Sequence, residues 1–231
     1  MNNDNSQVEN IIKNLLEKSR RQNNQYLLFG DTYVYIQDSL PENVDINEVF
    51  DFIHSKMPQH LFSEVDAIYV GEFKELQDRQ VQAMYKDGAI YVTNFQSNVM
   101  DMVDDIIHEI AHSIEEPYGM LIYADGQVES EFIGKRIRLR DLLKANGYDV
   151  DDIDFSESDF KQNFDDYLYQ DIGYPVLTSL SYGLYTNPYA ATSLREYFAS
   201  GFEEYIFGDR ELLKSISPAL FNKIQEIVLD G

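Results

Sequence analysis

His108-Glu109-Ile110-Ala111-His112 is the segment of this chain best suited to chemistry. On a helix, residues i and i+4 stand one above the other on the same face, so two imidazoles at this spacing can hold one metal ion. The glutamate between them reaches a water at that ion and can take its proton. The chain has only four histidines, so chance pairing around a glutamate is a poor explanation of the motif. The other two, His54 and His60, fall on a separate predicted helix and read as ordinary, partly exposed histidines.

A catalytic zinc site takes three protein ligands and keeps one position for water. The chain has no cysteine, so no thiolate can serve, and the third ligand is expected to be Asp or Glu. A longer form of the motif would place Gly at 115 and His at 118. This chain has Glu115 and Tyr118 there. Glu129 and Glu131 follow His112 by 17 and 19 residues, and Glu196 lies much further on. Spacing alone does not choose among the three.

These residues need a helix to position them, and the pattern predicts one over 99–116. Val103, Ile107, Ile110 and Ile114 form an apolar stripe, Asn98 is the expected N-cap, and Asp101, Asp104 and Asp105 suit the positive end of the helix dipole. Pro117 and Gly119 are expected to end it. Just upstream, Asp87-Gly88 between two β-rich runs in residues 83–92 predicts a hairpin. Strands are expected at 33–36 and 66–73, and helices at 7–20, 46–60, 126–145, 193–207 and 218–229. The basic run Lys135, Arg136, Arg138 and Arg140 could pair with the acidic, aromatic stretch 149–171, a solvated face or a lid. That stretch lacks the glycine and spacing of a calcium loop.

The order implies an α+β fold: a small mixed sheet packed on the active-site helix, then a mostly helical C-terminal half. The expected organisation is an N-terminal helix over 1–25 and one domain over 26–231. Within that domain, 26–118 holds the sheet and the motif helix. Residues 119–231 form the helical part, with an acidic insertion at about 145–185.

A chain of 231 residues with net charge −23 should repel nucleic-acid phosphates and anionic membranes. No apolar run approaches the length that spans a bilayer. The N-terminus does not read as a secretory signal. A soluble protein of the cytoplasm or another intracellular compartment is the expectation. Neither nucleic acid nor membrane is expected as a partner.

The C-terminal part resembles the catalytic domain shared by anthrax lethal factor and the Pro-Pro endopeptidases. Those enzymes carry a Glu-Phe-Phe-Ala-Glu signature, matched here by Glu196-Tyr197-Phe198-Ala199-Ser200. Tyr189 stands seven residues before Glu196, and residues 212–224, LLKSISPALFNKI, match the family's closing segment. The likeness covers about 66–116 and 186–226. It departs at Ser200, where the family has a second Glu, and in the 84-residue gap from His112 to Glu196.

The resemblance implies a zincin-like fold of the gluzincin kind. It implies one Zn²⁺ per chain on His108, His112 and Glu196. Glu131, from the acids closer to His112, stays in reserve as third ligand. The resemblance also implies Glu109 as general base, Tyr189 as oxyanion donor, and a peptide or protein as substrate. Strand Ala89–Thr93 would then receive substrate as an added strand. Two other readings compete with this zinc-dependent endopeptidase. One is a catalytically silent zincin-fold module that grips a partner protein, and the other is an acidic mimic of nucleic acid.

Overall fold

The computed structural model describes residues 25–28 and 31–230, with side chains from 31 onward. The helix expected at 7–20 lies outside the described residues. The chain groups into two compact units that divide between Ile110 and Ala111, inside one helix.

The first unit is built on a five-stranded mixed sheet. Its strands are β1 (Gln25–Leu28), β2 (Thr32–Ile36), β3 (Ala67–Gly71), β4 (Ala83–Lys86) and β5 (Ala89–Thr93), in the order β1-β2-β3-β5-β4. β2, β3 and β5 run parallel, while β1 and β4 add antiparallel edges. One side of the central strands is fully buried through Ile68, Val70, Ile90 and Val92. On the pleat's other side the register aligns Tyr35, Tyr69 and Tyr91 in one row. Their rings stack at 5.1 and 5.3 Å between centroids, the cross-strand pairing that stabilises a sheet. Asp87 and Gly88 both take positive φ, 51° and 79°, as a two-residue hairpin loop requires.

The strand Ala89–Thr93 is not available to a bound peptide. Because β4 folds back against its far side, β5 lies inside the sheet with both edges paired. The outer edge on that side belongs to β4.

Helix α1 (Ile46–Lys56) is capped by the Asp45 carboxylate, which accepts from Asn47 N. It ends earlier than the apolar pattern suggests. Pro58 bars helical geometry at the residue before it, and Met57 is extended, at φ −108° and ψ 129°. His60 then sits in a separate 3₁₀ turn, Gln59–Phe62. A short α2 (Lys74–Arg79) precedes the hairpin.

Helix α3 (Val99–Tyr123) carries the motif. The Asn98 side chain accepts from Met100 N and Asp101 N. Contrary to the expected stop, the helix runs through Pro117 to Tyr123. Proline forfeits one backbone bond, but Ile122 is fully buried and Tyr123 is anchored by its hydroxyl to Glu115. Those two contacts hold the last turns in register.

The second unit is helical: α4 (Gln127–Ala145), α5 (Gln162–Asp166), a π turn (Tyr167–Ile172), α6 (Tyr174–Leu180), a 3₁₀ turn (Pro188–Ala191), α7 (Leu194–Phe207), α8 (Arg210–Ile216) and α9 (Pro218–Leu229). Helix α7 packs on α4, α8 and α9. Gly201 permits the approach to α9, since a Cβ there would stand 2.3 Å from Leu220 Cδ2.

Half of the basic run is buried rather than surface-paired. Lys135 Nζ donates to Ser217 Oγ at 2.5 Å and lies over the Tyr197 ring. Burial pushes its ammonium down to about 8. Arg136 stacks on Phe164 and donates to the backbone carbonyls of Asp154 and Glu157. The acidic stretch is thus tied to α4 through carbonyls, and Phe155, Phe164 and Tyr167 pack inward. The chain is an α+β protein with a small mixed sheet and a helical C-terminal half. No described helix is long and apolar enough to cross a membrane.

Candidate metal centre

His108 and His112 stand one turn apart on α3, between buried Ile107, Ile110 and Ala111. The apolar stripe fixes the rotation of the helix, and the two imidazoles keep partial access to solvent. Glu196 comes from the first turn of α7. Ser193 caps that helix, its Oγ accepting from Glu196 N at 3.2 Å.

Together, His108, His112 and Glu196 each offer one ligand atom, and these atoms lie within 4.8 Å of one another. His112 Nε2 is 3.6 Å from Glu196 Oε1. Donors around one zinc at roughly 2.0–2.2 Å from the ion stand about 3.3 Å apart. Two nitrogens and a carboxylate oxygen, partly buried and this close, are a donor set that suits such an ion. Among the described residues this is the group with metal-ligand chemistry and spacing.

The far side of His112 is held by a network that spacing did not suggest. Its Nδ1 is 3.0 Å from Glu115 Oε2. The same oxygen accepts from Arg195 Nε at 2.8 Å, and Glu115 Oε1 accepts from the Tyr123 hydroxyl at 2.5 Å. Burial opposes charge on Glu115. Hydrogen bonds from His112 and Tyr123, with Arg195 close by, outweigh burial and hold the carboxyl below its ordinary range. Burial, reinforced by the Glu115 charge, raises the Tyr123 hydroxyl. The one signal in the sequence that could have pointed to it is the place of Glu115, three residues past His112 on one helix face.

Glu109, between the two histidines, is buried, with 8% of its surface exposed. Its Oε2 accepts from the backbone N–H of Tyr85 on β4 at 2.6 Å. One turn earlier, Asp105 Oδ2 accepts from Gln96 Nε2 at 2.8 Å. Burial raises Asp105 to about 6; the Gln96 bond opposes the rise and the Glu109 charge adds to it.

Glu131, the reserve ligand, is engaged elsewhere. Its carboxylate accepts from Ala219 N, Leu220 N and the Tyr197 hydroxyl. Glu129 is exposed in the first turn of α4. His54 is exposed and His60 is partly buried, and neither joins the metal group. Tyr189 sits on the 3₁₀ turn just before α7, with 36% of its surface exposed. Ser200 is buried, and its Oγ lies 3.5 Å from Asn187 Oδ1, the atom that caps that turn.

No protein-family model, curated protein or solved structure matches this chain.

Proposed function

We propose that the chain is a zinc-dependent endopeptidase of zincin-like architecture, with one Zn²⁺ held by His108, His112 and Glu196. The observation that carries this reading is the approach of these three ligand atoms to within 4.8 Å, with a buried carboxylate, Glu109, between the histidines. The resemblance of residues 189–200 to the lethal factor and Pro-Pro endopeptidase signature supports the same assignment. When bound, zinc supplies Lewis acidity, polarising a peptide carbonyl and making a nearby water acidic enough to lose its proton near neutral pH.

The protein's own residues do the rest. Glu109 accepts that proton and later returns it to the leaving amine. Its hydrogen bond from Tyr85 N fixes the carboxylate's orientation before substrate arrives. Tyr189, partly exposed just before α7, donates a hydrogen bond to the carbonyl oxygen as negative charge builds there. The peptide lies along the outer edge of β4, the strand whose backbone already reaches Glu109, and pairs with it by main-chain hydrogen bonds. With a net charge of −23, the protein disfavours nucleic acid and anionic membranes as partners.

The test is digestion of a mixed peptide library by the zinc-loaded protein, read by mass spectrometry beside Glu109→Gln. Cuts made only by the unmodified protein are the expected result. An uncut library with zinc stoichiometrically bound would overturn the endopeptidase reading and favour a silent protein-binding module.

A further inference from the structure

Glu115 lies outside the three ligands and the base, yet three polar groups converge on its carboxylate. They are the Nδ1 edge of His112 at 3.0 Å, Arg195 Nε at 2.8 Å and the Tyr123 hydroxyl at 2.5 Å. A neutral imidazole carries one proton, on either nitrogen. A carboxylate offers only acceptors, so His112 must point a proton at it. The tautomer with that proton on Nδ1 puts the ring's lone pair on Nε2, and Nε2 is the atom 3.6 Å from Glu196 Oε1. Metal-ligating histidines are oriented in this way by a carboxylate behind them, and loss of that partner weakens metal affinity about 10–100-fold.

The carboxylate is itself tightly held. Its side chain is 9% exposed. Arg195 approaches from α7 beside Glu196, and Tyr123 approaches from the end of α3 that continues past Pro117. Ser200, one turn on from Glu196, faces Asn187. Glu115 is the acid that meets the Nδ1 edge of His112.

We propose that Glu115 is a positioning residue: it fixes the Nδ1-protonated tautomer and ring orientation of His112, with Arg195 and Tyr123 holding Glu115 in place. The inference rests on the reading of His112 as a metal ligand. It commits to an atom-level statement that is true or false without any metal.

Replacement by glutamine separates position from charge. Oε2 of Glu115 serves both His112 and Arg195, whereas Oε1 serves only Tyr123. A glutamine with its carbonyl oxygen toward His112 and Arg195 keeps both bonds. Its amide then faces a hydroxyl that can turn to accept. Glu115→Gln should preserve the tautomer, and Glu115→Ala should not.

The experiment is long-range ¹⁵N–¹H correlation of the histidine rings in the metal-free protein at a pH where they are neutral. It is paired with zinc affinity measured by chelator competition. The expected result is a proton on Nδ1 of His112 in the unmodified protein. Glu115→Ala should mix the tautomers and weaken zinc about 10–100-fold, while Glu115→Gln stays within about threefold. A proton on Nε2 in the unmodified protein overturns the proposal even if the alanine variant does not fold. Unchanged tautomer and zinc affinity in a folded Glu115→Ala also overturn it. Unmodified protein that ignores zinc sinks the metal reading instead, and the ring proton still decides the role of Glu115.

Discussion

The hydroxyl of Tyr197 donates to Glu131 Oε1 at 2.9 Å, and the same carboxylate receives Ala219 N and Leu220 N at 2.9 and 3.1 Å. Tyr197 directly follows the proposed ligand Glu196. Glu131 from α4 thus caps the N-terminus of α9 and steadies α7, with its capacity spent on structure.

Glu131→Ala should therefore lower stability by about 1–3 kcal/mol, for one lost cap and one buried hydroxyl left without its acceptor. Zinc affinity should stay unchanged. Glu196→Ala should do the reverse, weakening zinc by more than about a hundredfold with little effect on folding. Chemical denaturation and chelator competition on both variants separate the two roles. Normal zinc binding by Glu196→Ala would remove it from the ligand set.

Glu109→Gln should bind zinc as the unmodified protein does and lose about 10²–10⁴ in kcat. The amide oxygen of glutamine can still accept from Tyr85 N, so the local fold should survive. Unimpaired turnover in this variant would remove Glu109 as base.

Tyr189→Phe should lower kcat about 10²–10³-fold with KM nearly constant, as expected for one oxyanion donor. Steady-state kinetics on a cleaved library peptide reads this directly. A tyrosine that only packs would leave kcat intact and alter the melting temperature instead.

Asp105 gives a pH signature. Its folded value of about 6 lies above the ordinary 3.8. Below about pH 3 the carboxyl is protonated in both states, so burial has no net charge cost. As pH rises through this window the unfolded chain releases the proton first, and the folded state loses stability. The full penalty holds above pH 6, at about 1–3 kcal/mol given partial solvent access. Asp105→Asn should stabilise the metal-free protein by that amount at pH 7 and by almost nothing at pH 3. Urea melts at the two pH values check it, and an equal gain at both would show that the carboxyl is not strained by its charge.

Gly201→Ala should destabilise by about 1–2 kcal/mol, although alanine is the better helix former. The added methyl would meet Leu220, whose own side chain is fully buried. A higher melting temperature would mean that Leu220 can move aside.

The local features were the legible ones. The hairpin at Asp87-Gly88, the Asn98 cap and the shared face of His108 and His112 each follow from residues within one turn of each other. Features set by distant partners were not. The stop expected at Pro117 is overridden by buried Ile122 and by the bond from Tyr123 back to Glu115. The choice among Glu129, Glu131 and Glu196 was open on spacing, because it depends on which helix end each acid meets; Glu131 meets α9. The interior place of β5 depends on how β3 and β4 flank it, which no run of residues 89–93 encodes. Arg195 and Glu115 are 80 residues apart in the chain, and the polarity of each alone says nothing of the other.

The contact between Glu109 and the backbone of Tyr85 has a consequence for how this site tolerates mutation. The donor is a peptide N–H, present whatever side chain occupies position 85. Scanning with alanine would pass over it, and natural drift at 85 would leave Glu109 anchored. Proline alone among the amino acids lacks that hydrogen. The orientation of the Glu109 carboxylate is thus written into the main chain, where it is shielded from nearly every substitution that could arise there.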